Sequence, residues 1–430
     1  MTGNTAGAER EDEGSAEQNV AEAHEDRGQL WHATRALRHR DYRFFFIAAL
    51  LANFGGWLAG MARGYLTYSM TDSAALLGTV AFCQTIPILL LVPFTGVLVD
   101  RFPRKPLLMG SQTVFVFTSA ATAILIATGH LQVWHIMALS LLDGLAAAAN
   151  APAWQSLTVE LVGPDDLMSA IALNSMQFNV GRILGALMSG LLYDLVGPTW
   201  CFGLDTVFLM FGLLALWQVR MRPPSAKTMR TGVVMNFVAG IRYMRRHPDM
   251  MAIVTMAASV TVFALPFFTL LPVFARTILE GTARTQSYLL VGVGVGSLVA
   301  GVFQAMDRNE VGRGRKMLVS QAFLSVCLGV FALSTSLPLS IAALAGCGAG
   351  LVGFNTTANT TVQLLVPDHM RGRLMGVFLL AAFGLTPIGS LLVGAVAEWV
   401  SAPIALFGGA VICAVLTLVS ALRFPNLRAL

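Results

Sequence analysis

Charge is what this sequence has least of. Asp, Glu, Lys and Arg together make up 12% of its 430 residues against 56% apolar side chains, and the mean hydropathy is +0.69. So little charge excludes a soluble domain of this length, which would need a polar coat, and points to an all-α chain in a membrane. Cysteine is scarce and unpatterned: Cys83, Cys201, Cys327, Cys347 and Cys413 stand singly in apolar runs. That spacing argues against a disulfide framework or a thiolate metal site and leaves them as small buried hydrophobes. No cluster of His, Asp, Ser or Cys converges on one membrane surface, so neither an enzyme nor a resident cofactor is expected. The first 29 residues are poor in apolar side chains and carry eight acids (Glu9, Glu11, Asp12, Glu13, Glu17, Glu22, Glu25, Asp26) against Arg10 and Arg27. No apolar core precedes a cleavage site there, so no signal peptide is expected, and residues 1–34 form a disordered acidic tail.

What the chain has in abundance is long apolar runs. Segments of about 20 residues, enough to cross roughly 30 Å of hydrocarbon as a helix, fall at 44–69, 76–99, 107–128, 133–151, 170–192, 199–219, 250–275, 286–306, 317–335, 338–360, 374–397 and 403–422, which makes twelve spans. Of the 28 Lys and Arg, Arg63 and Arg182 lie inside spans, and Arg276 and Arg284 lie near the far-side loop after the seventh. All the others fall on one side. By the positive-inside rule that side is cytoplasmic, and so are both termini. The basic excess is spread over loops that face anionic lipid, so no nucleic-acid partner is needed to explain it.

A charged stretch from Arg220 to Asp249 divides the spans six and six. The domains are therefore a bundle over 35–220, a linker over 221–249 and a second bundle over 250–430. In the linker, Val234, Phe237, Val238, Ile241 and Met244 recur at helical spacing opposite Arg242, Arg245 and Arg246, which predicts an amphipathic helix on the membrane surface, the alternative being a solvated linker helix, stopped at His247-Pro248. The halves repeat each other. Thr158 to Asp165 parallels Thr361 to Asp368 at an offset of 203, and Gly185, Gly190 and Asp194 parallel Gly389, Gly394 and Glu398 at an offset of 204. Duplicated six-helix units place a binding site between the halves and work by rocking one against the other.

Charge inside a span is costly and is a functional hypothesis by default. Asp143 and Arg182 lie at comparable depth on consecutive spans, which predicts that they pair. The pair would be either a proton-coupled switch or a static bridge between helices, and Asp205 is a further candidate relay or a structural acid. Asn53, Trp57, Arg63, Asn174, Gln177 and Phe178 in the first half, with Phe263, Phe267, Asn355 and Asn359 in the second, suit a largely apolar cavity for a small amphipathic molecule. Singly, each is equally explained by packing or interhelix hydrogen bonding. Gly292, Gly294 and Gly296 permit close helix packing.

One loop is distinctive. Gly96-Val97-Leu98-Val99-Asp100-Arg101-Phe102-Pro103-Arg104-Lys105 sets an acid and three bases between two spans. There Asp100 can reach the start of the eleventh span near Arg371 and Arg373, forming a gate with Arg101, Arg104 and Lys105. The alternative is that these bases only hold topology at the headgroups. This loop resembles the signature of the major facilitator superfamily of transporters. Further motifs resemble its branch of enterobactin-type exporters and macrolide efflux proteins, the transmembrane secretion effectors: Asn53-Phe54-Gly55-Gly56-Trp57, Tyr65-Leu66-Thr67-Tyr68, Thr71-Asp72-Ser73-Ala74, Asn150-Ala151-Pro152-Ala153, Ala172-Leu173-Asn174-Ser175, Leu271-Pro272-Val273-Phe274 and Arg371-Gly372-Arg373. The resemblance implies twelve helices in two pseudo-symmetric bundles and a monomer in the bacterial inner membrane. It also implies export of a drug, macrolide or siderophore-like molecule, energised by the proton gradient. Where the branch often has an acid this chain has Gly56, where it has glycine this chain has Pro103, and where it has proline this chain has Ala186, which leaves proton coupling open. A lipid or lysolipid flippase of the same fold and a non-transporting membrane sensor are the alternatives.

Overall fold

The computed structural model describes residues 35–101, 103–220, 233–306 and 312–424, with side chains except at 92–101, 233–238, 368 and 369. The acidic tail therefore lies outside the described residues. No strand occurs among the described residues. They form thirteen long helices: α1 (Arg40–Thr71), α2 (Ala74–Arg101), α3 (Arg104–Ala127), α4 (Val133–Val162), α5 (Leu167–Val196), α6 (Pro198–Gln218), α7 (Val233–Arg246), α8 (Pro248–Ile278), α9 (Ala283–Met306), α10 (Arg313–Leu333), α11 (Leu337–Leu365), α12 (Met370–Trp399) and α13 (Ala402–Arg423). Eleven are long and apolar enough to cross a membrane. The twelfth span, α5, has 30 residues, but Asn174, Gln177, Asn179 and Arg182 dilute its hydropathy. Only α7, with 14 residues, is too short to span.

Most connections are a few residues long, so successive spans are antiparallel. One end of the molecule carries α7, and the opposite end carries the turns at 72–73, 128–132, 279–282, 334–336 and 400–401. The outer surface is apolar along the helices, with Ile124, Leu195, Leu214, Phe303, Val326 and Leu422 exposed. Trp134, Trp200 and Trp399 are exposed at the end opposite the linker and Trp217 at the linker end. Apolar flanks bounded by tryptophan at both ends are what a bilayer selects.

The first bundle is α1 to α6 and the second α8 to α13. They meet mainly where α2 packs on α12 and α5 on α9. In the second bundle a continuous core includes the fully buried Phe267, Phe274, Phe331, Phe354 and Met317. Two helices of this half are locally wound as π-turns, α8 at Val260–Ala264 and Phe274–Ile278 and α12 at Leu380–Gly384. Pro266 follows the first turn and Pro387 the last, which is where a missing N–H most readily displaces the helical ladder. Gly292 and Gly296 lie against the carbonyls of Ile341 and Ala345 on α11, and Gly294 faces Ile183 of the first half, which is the close packing expected of them.

Helix α7 differs from its expected role. Met244 is buried in the second-bundle core, and Ile241 packs on the same core. At Gly240 the α7 backbone reaches the Arg373 carbonyl so closely that a Cβ there would come within 2.9 Å of that oxygen. The described part of its apolar face is covered by protein, not by a membrane surface. Val234, Phe237 and Val238 lie outside the described side chains.

Candidate functional site

A cavity of about 1010 Å³ lies inside the first bundle. Its wall includes Asn53, Trp57, Arg63, Asp143, Asn174, Gln177, Phe178 and Asp205. A smaller cavity of about 430 Å³ shares Asn53, Trp57 and Arg63 with it and continues to Phe268, Thr269 and Gln286 of the second half. Trp57 meets Phe178 edge to face with ring centroids 5.8 Å apart. Asn174 donates to Thr158 Oγ1 at 3.4 Å, and Gln177 donates to Asn174 at 3.1 Å. The chamber is thus mostly apolar with scattered amide groups, as a site for amphipathic molecules requires.

Its charged residues are concentrated in one place. Arg63 on α1 donates through Nη2 to Asp143 Oδ2 on α4 at 2.6 Å and through Nη1 to Ser140 Oγ at 3.4 Å. Asp143 also accepts from Thr118 Oγ1 on α3 at 2.5 Å. The next residue, Ser119, bonds Asp205 Oδ2 on α6 at 2.7 Å and lies 3.0 Å from the Phe202 carbonyl. The other oxygen of Asp205 has no hydrogen-bond partner, and it is pressed so closely on Gly55 that a Cβ there would overlap it. Adjacent hydroxyls on α3 thus hold one acid each, Thr118 the Asp143 that pairs with Arg63 and Ser119 the Asp205 carboxyl. With both acids ionised the cluster carries one net negative charge, and one proton neutralises it.

The expected pair of Asp143 and Arg182 does not form. Arg182 is buried, donates to Asn179 Oδ1 at 2.9 Å and leaves Nε without a partner. Equal depth on consecutive helices does not decide a pairing, because rotation about each axis does: Asp143 faces α1 and α3, while Arg182 shares a face with Asn179. Sequence reasoning placed Arg63 in the cavity but missed it as the partner of Asp143. It missed Thr118 and Ser119 altogether, since a hydroxyl in a span carries no signal to separate it from helix packing.

All six first-half cavity candidates line the chamber, whereas the four from the second half do not. Phe267 is fully buried and stacked on Phe268 with centroids 4.2 Å apart. The backbone carbonyl of Phe263 packs on Gly409. Asn359 accepts from Gln363 at 3.2 Å, and Asn355 is half-buried on the same helix.

The expected gate at the linker end divides. Gly96, Asp100 and Arg101 sit in the last two turns of α2, where side chains lie outside the description. Arg104 pairs with Glu160, and Lys105 donates to the carbonyls of Trp217 and Val219, both at 2.6 Å. Those two bases therefore tie α3 to α4 and to the end of α6 within one bundle and do not reach the other half. Arg373 contacts Met370 Sδ at 3.5 Å on its own helix, and Arg371 stands two residues before it near the start of α12. Among the described residues no group of His, Cys, Asp or Glu could hold a metal ion.

Residues 32–430 match the family profile of transmembrane secretion effectors. The chain is 25% identical to the multidrug efflux pump Tap of Mycolicibacterium fortuitum, over 82% of this chain and 88% of that protein. It is 24% identical to the enterobactin exporter EntS of Shigella flexneri, over 83% and 85%. Among solved structures, the nucleoside transporter NupG is similar with a TM-score of 0.70 at 14% identity, covering 90% of this chain and 98% of that one. A D-xylose-proton symporter is similar with a TM-score of 0.66 at 13% identity, over 88% and 97%. These two likenesses concern the fold. Twelve span-length helices in two bundles, a chamber within the membrane region and a profile match over nearly the whole chain together place this protein in the transmembrane secretion effector family of major facilitator transporters.

Proposed function

We propose that the protein exports small amphipathic molecules from the cytoplasm by alternating access, with proton antiport as the driving reaction. The observation that carries this reading is the buried cluster of Arg63, Asp143 and Asp205 in the chamber wall. A charged group is retained in a membrane chamber where it has work to do, and with both acids ionised this cluster is one proton short of neutrality.

The two acids divide the roles. Asp143 has the Arg63 guanidinium as counterion and is the fixed charge. Asp205 is the proton carrier. Ser119 has one hydroxyl proton and two acceptors in reach, Asp205 Oδ2 and the Phe202 carbonyl. A proton on Asp205 completes the set: the acid donates to Ser119, and Ser119 donates to the carbonyl. Proton loss leaves a carboxylate beside the chamber that attracts the polar or cationic end of a substrate, and proton entry from outside expels it. The basic residues at the linker end support a cytoplasmic location for that end by the positive-inside rule. Cross-bundle bonds join the opposite end, among them Arg276 to Asp72 Oδ1 at 2.7 Å and Tyr68 to Thr277 at 2.7 Å, which supports reading that end as the closed one. The names of Tap and EntS support export of drug-like or siderophore-like compounds.

The test is accumulation of amphipathic fluorescent dyes in inverted vesicles under an imposed pH gradient. Wild type is expected to accumulate dye only with the gradient, while Asp205→Asn loses gradient-driven accumulation and keeps dye-for-dye exchange. Uptake by wild type that ignores the gradient would refute antiport, and an unimpaired Asp205→Asn would remove that residue as carrier.

A further inference from the structure

At the end opposite the linker the halves are joined by one contact pattern that occurs twice. Asp194, in the last turn of α5, accepts from Thr282 Oγ1 at 2.6 Å and pairs with Arg284 at 3.3 Å. Thr282 stands immediately before α9, and its hydroxyl oxygen accepts from the Arg284 N–H at 3.3 Å. Glu398, in the last turn of α12, accepts from Ser73 Oγ at 3.0 Å and from the Ala75 N–H at 3.2 Å. Ser73 stands immediately before α2, and its oxygen accepts from the Leu76 N–H at 3.2 Å. In both cases an acid from the fifth helix of one half reaches the hydroxyl that caps the second helix of the other.

The correspondence extends to the backbone below each acid. Four residues earlier stands a glycine, Gly190 or Gly394, and the spacing from one set to the other is the repeat offset of 204. A Cβ on Gly190 would meet the Ala283 carbonyl at 2.8 Å, and one on Gly394 would meet the Ala74 carbonyl at 2.9 Å. Ala74 and Ala283 are the first residues of α2 and α9. Each helix start is thus held against the other half by direct backbone approach and by an acid bonded to its capping hydroxyl, with Glu398 also accepting from the Ala75 N–H, at a helix end where negative charge is favoured. Neither contact survives a tilt that separates α5 from α9 or α2 from α12.

We infer that these two crossed helix caps form a duplicated latch. It holds the end opposite the linker shut and breaks at both copies in the one movement that opens it. Asp194 and Glu398 then act as positioning residues that set the balance between the two access states, although neither lines the chamber. The latch rests on the alternating-access reading above. It differs in place and partners from a gate at the Gly96 to Lys105 loop.

The test reads the gap directly and needs no substrate. Spin labels go on cysteines introduced at His130 and Thr335, exposed in the turns after α3 and α10. The full chain, with its five native cysteines replaced, is placed in lipid nanodiscs, and distances are measured by pulsed electron paramagnetic resonance. Asp194→Asn and Glu398→Gln are each expected to raise the open-to-closed ratio about fivefold, the worth of one helix N-cap. Because both caps break in one transition, the double variant is expected to raise it about 25-fold. Ser73→Ala and Thr282→Val remove the capping hydroxyls with charge unchanged and shift the ratio the same way. Asp166→Asn, an acid at the linker end, leaves it unchanged. An open population in wild type that none of the four substitutions enlarges overturns the latch and leaves alternating access standing. A single closed distance in every variant overturns both.

Discussion

Asp143 and Asp205 are both buried acids on the wall of one chamber, yet they respond differently to neutralisation. Asp143 shares a bond of 2.6 Å with Arg63, and both side chains are about nine-tenths buried. Converting Asp143→Asn strands the guanidinium, and removing one partner of a buried pair costs about 3 kcal/mol. Arg63→Gln in the same chain removes the stranded charge and is expected to restore most of that loss. Thermal unfolding of the purified protein in detergent measures both, and equal melting of the single and double variants would disprove the coupling. Asp205→Asn leaves no stranded cation, so its effect falls on transport and not on melting. These roles are only partly visible in the sequence. That a span holds an Asp or Arg is legible at once, because charge in an apolar run is rare. Which charges meet depends on the rotation of α1, α4 and α5 about their own axes, and one residue of rotation, about 100°, turns a side chain to another neighbour.

Among the elements, the spans were readable to within a few residues because hydropathy is set by the bilayer and not by neighbours, except that α4 runs eleven residues past the expected 133–151, to Val162. Their ends run further than the apolar runs, α1 from Arg40 and α12 to Trp399, since helices project beyond the hydrocarbon into the headgroups. The repeat at an offset of 204 was legible as well, and it marks the residues that join the halves. Helix α7 shows the limit of pattern reading: an apolar stripe opposite arginines fits a membrane surface or a protein surface equally well. Gly240 decides between them, because only a residue without a side chain lets α7 touch the Arg373 carbonyl. Gly240→Val is therefore expected to lift α7 from α12 and speed tryptic cleavage between Arg220 and Arg246 several-fold. The dye transport assay on the same sample reports whether docking of α7 matters for turnover. An unchanged cleavage rate would mean that α7 is held by its other contacts, Ile241 and Met244.

Across the whole molecule the two halves share a fold but not a filling. The first encloses a chamber of about 1010 Å³, while the second is packed with buried Phe267, Phe274, Phe331 and Phe354. The wall of that chamber comes from the first bundle alone, so mutations there and in the aromatic core of the second bundle should separate binding from stability. Gly56 lines the chamber, and a Cβ added there meets nothing within 4 Å. Gly56→Trp should therefore fold normally, since tryptophan suits a helix interior better than glycine, and should block dye accumulation by filling the space. Phe267→Ala should do the reverse, costing about 3–5 kcal/mol of stability through the cavity it leaves while the surviving folded fraction keeps its order of preference among dyes. Melting and dye competition measured on the same two variants decide the matter. If Phe267→Ala reorders the dyes while Gly56→Trp transports freely, the binding space lies in the second bundle and the division of labour between the halves is the opposite of that described.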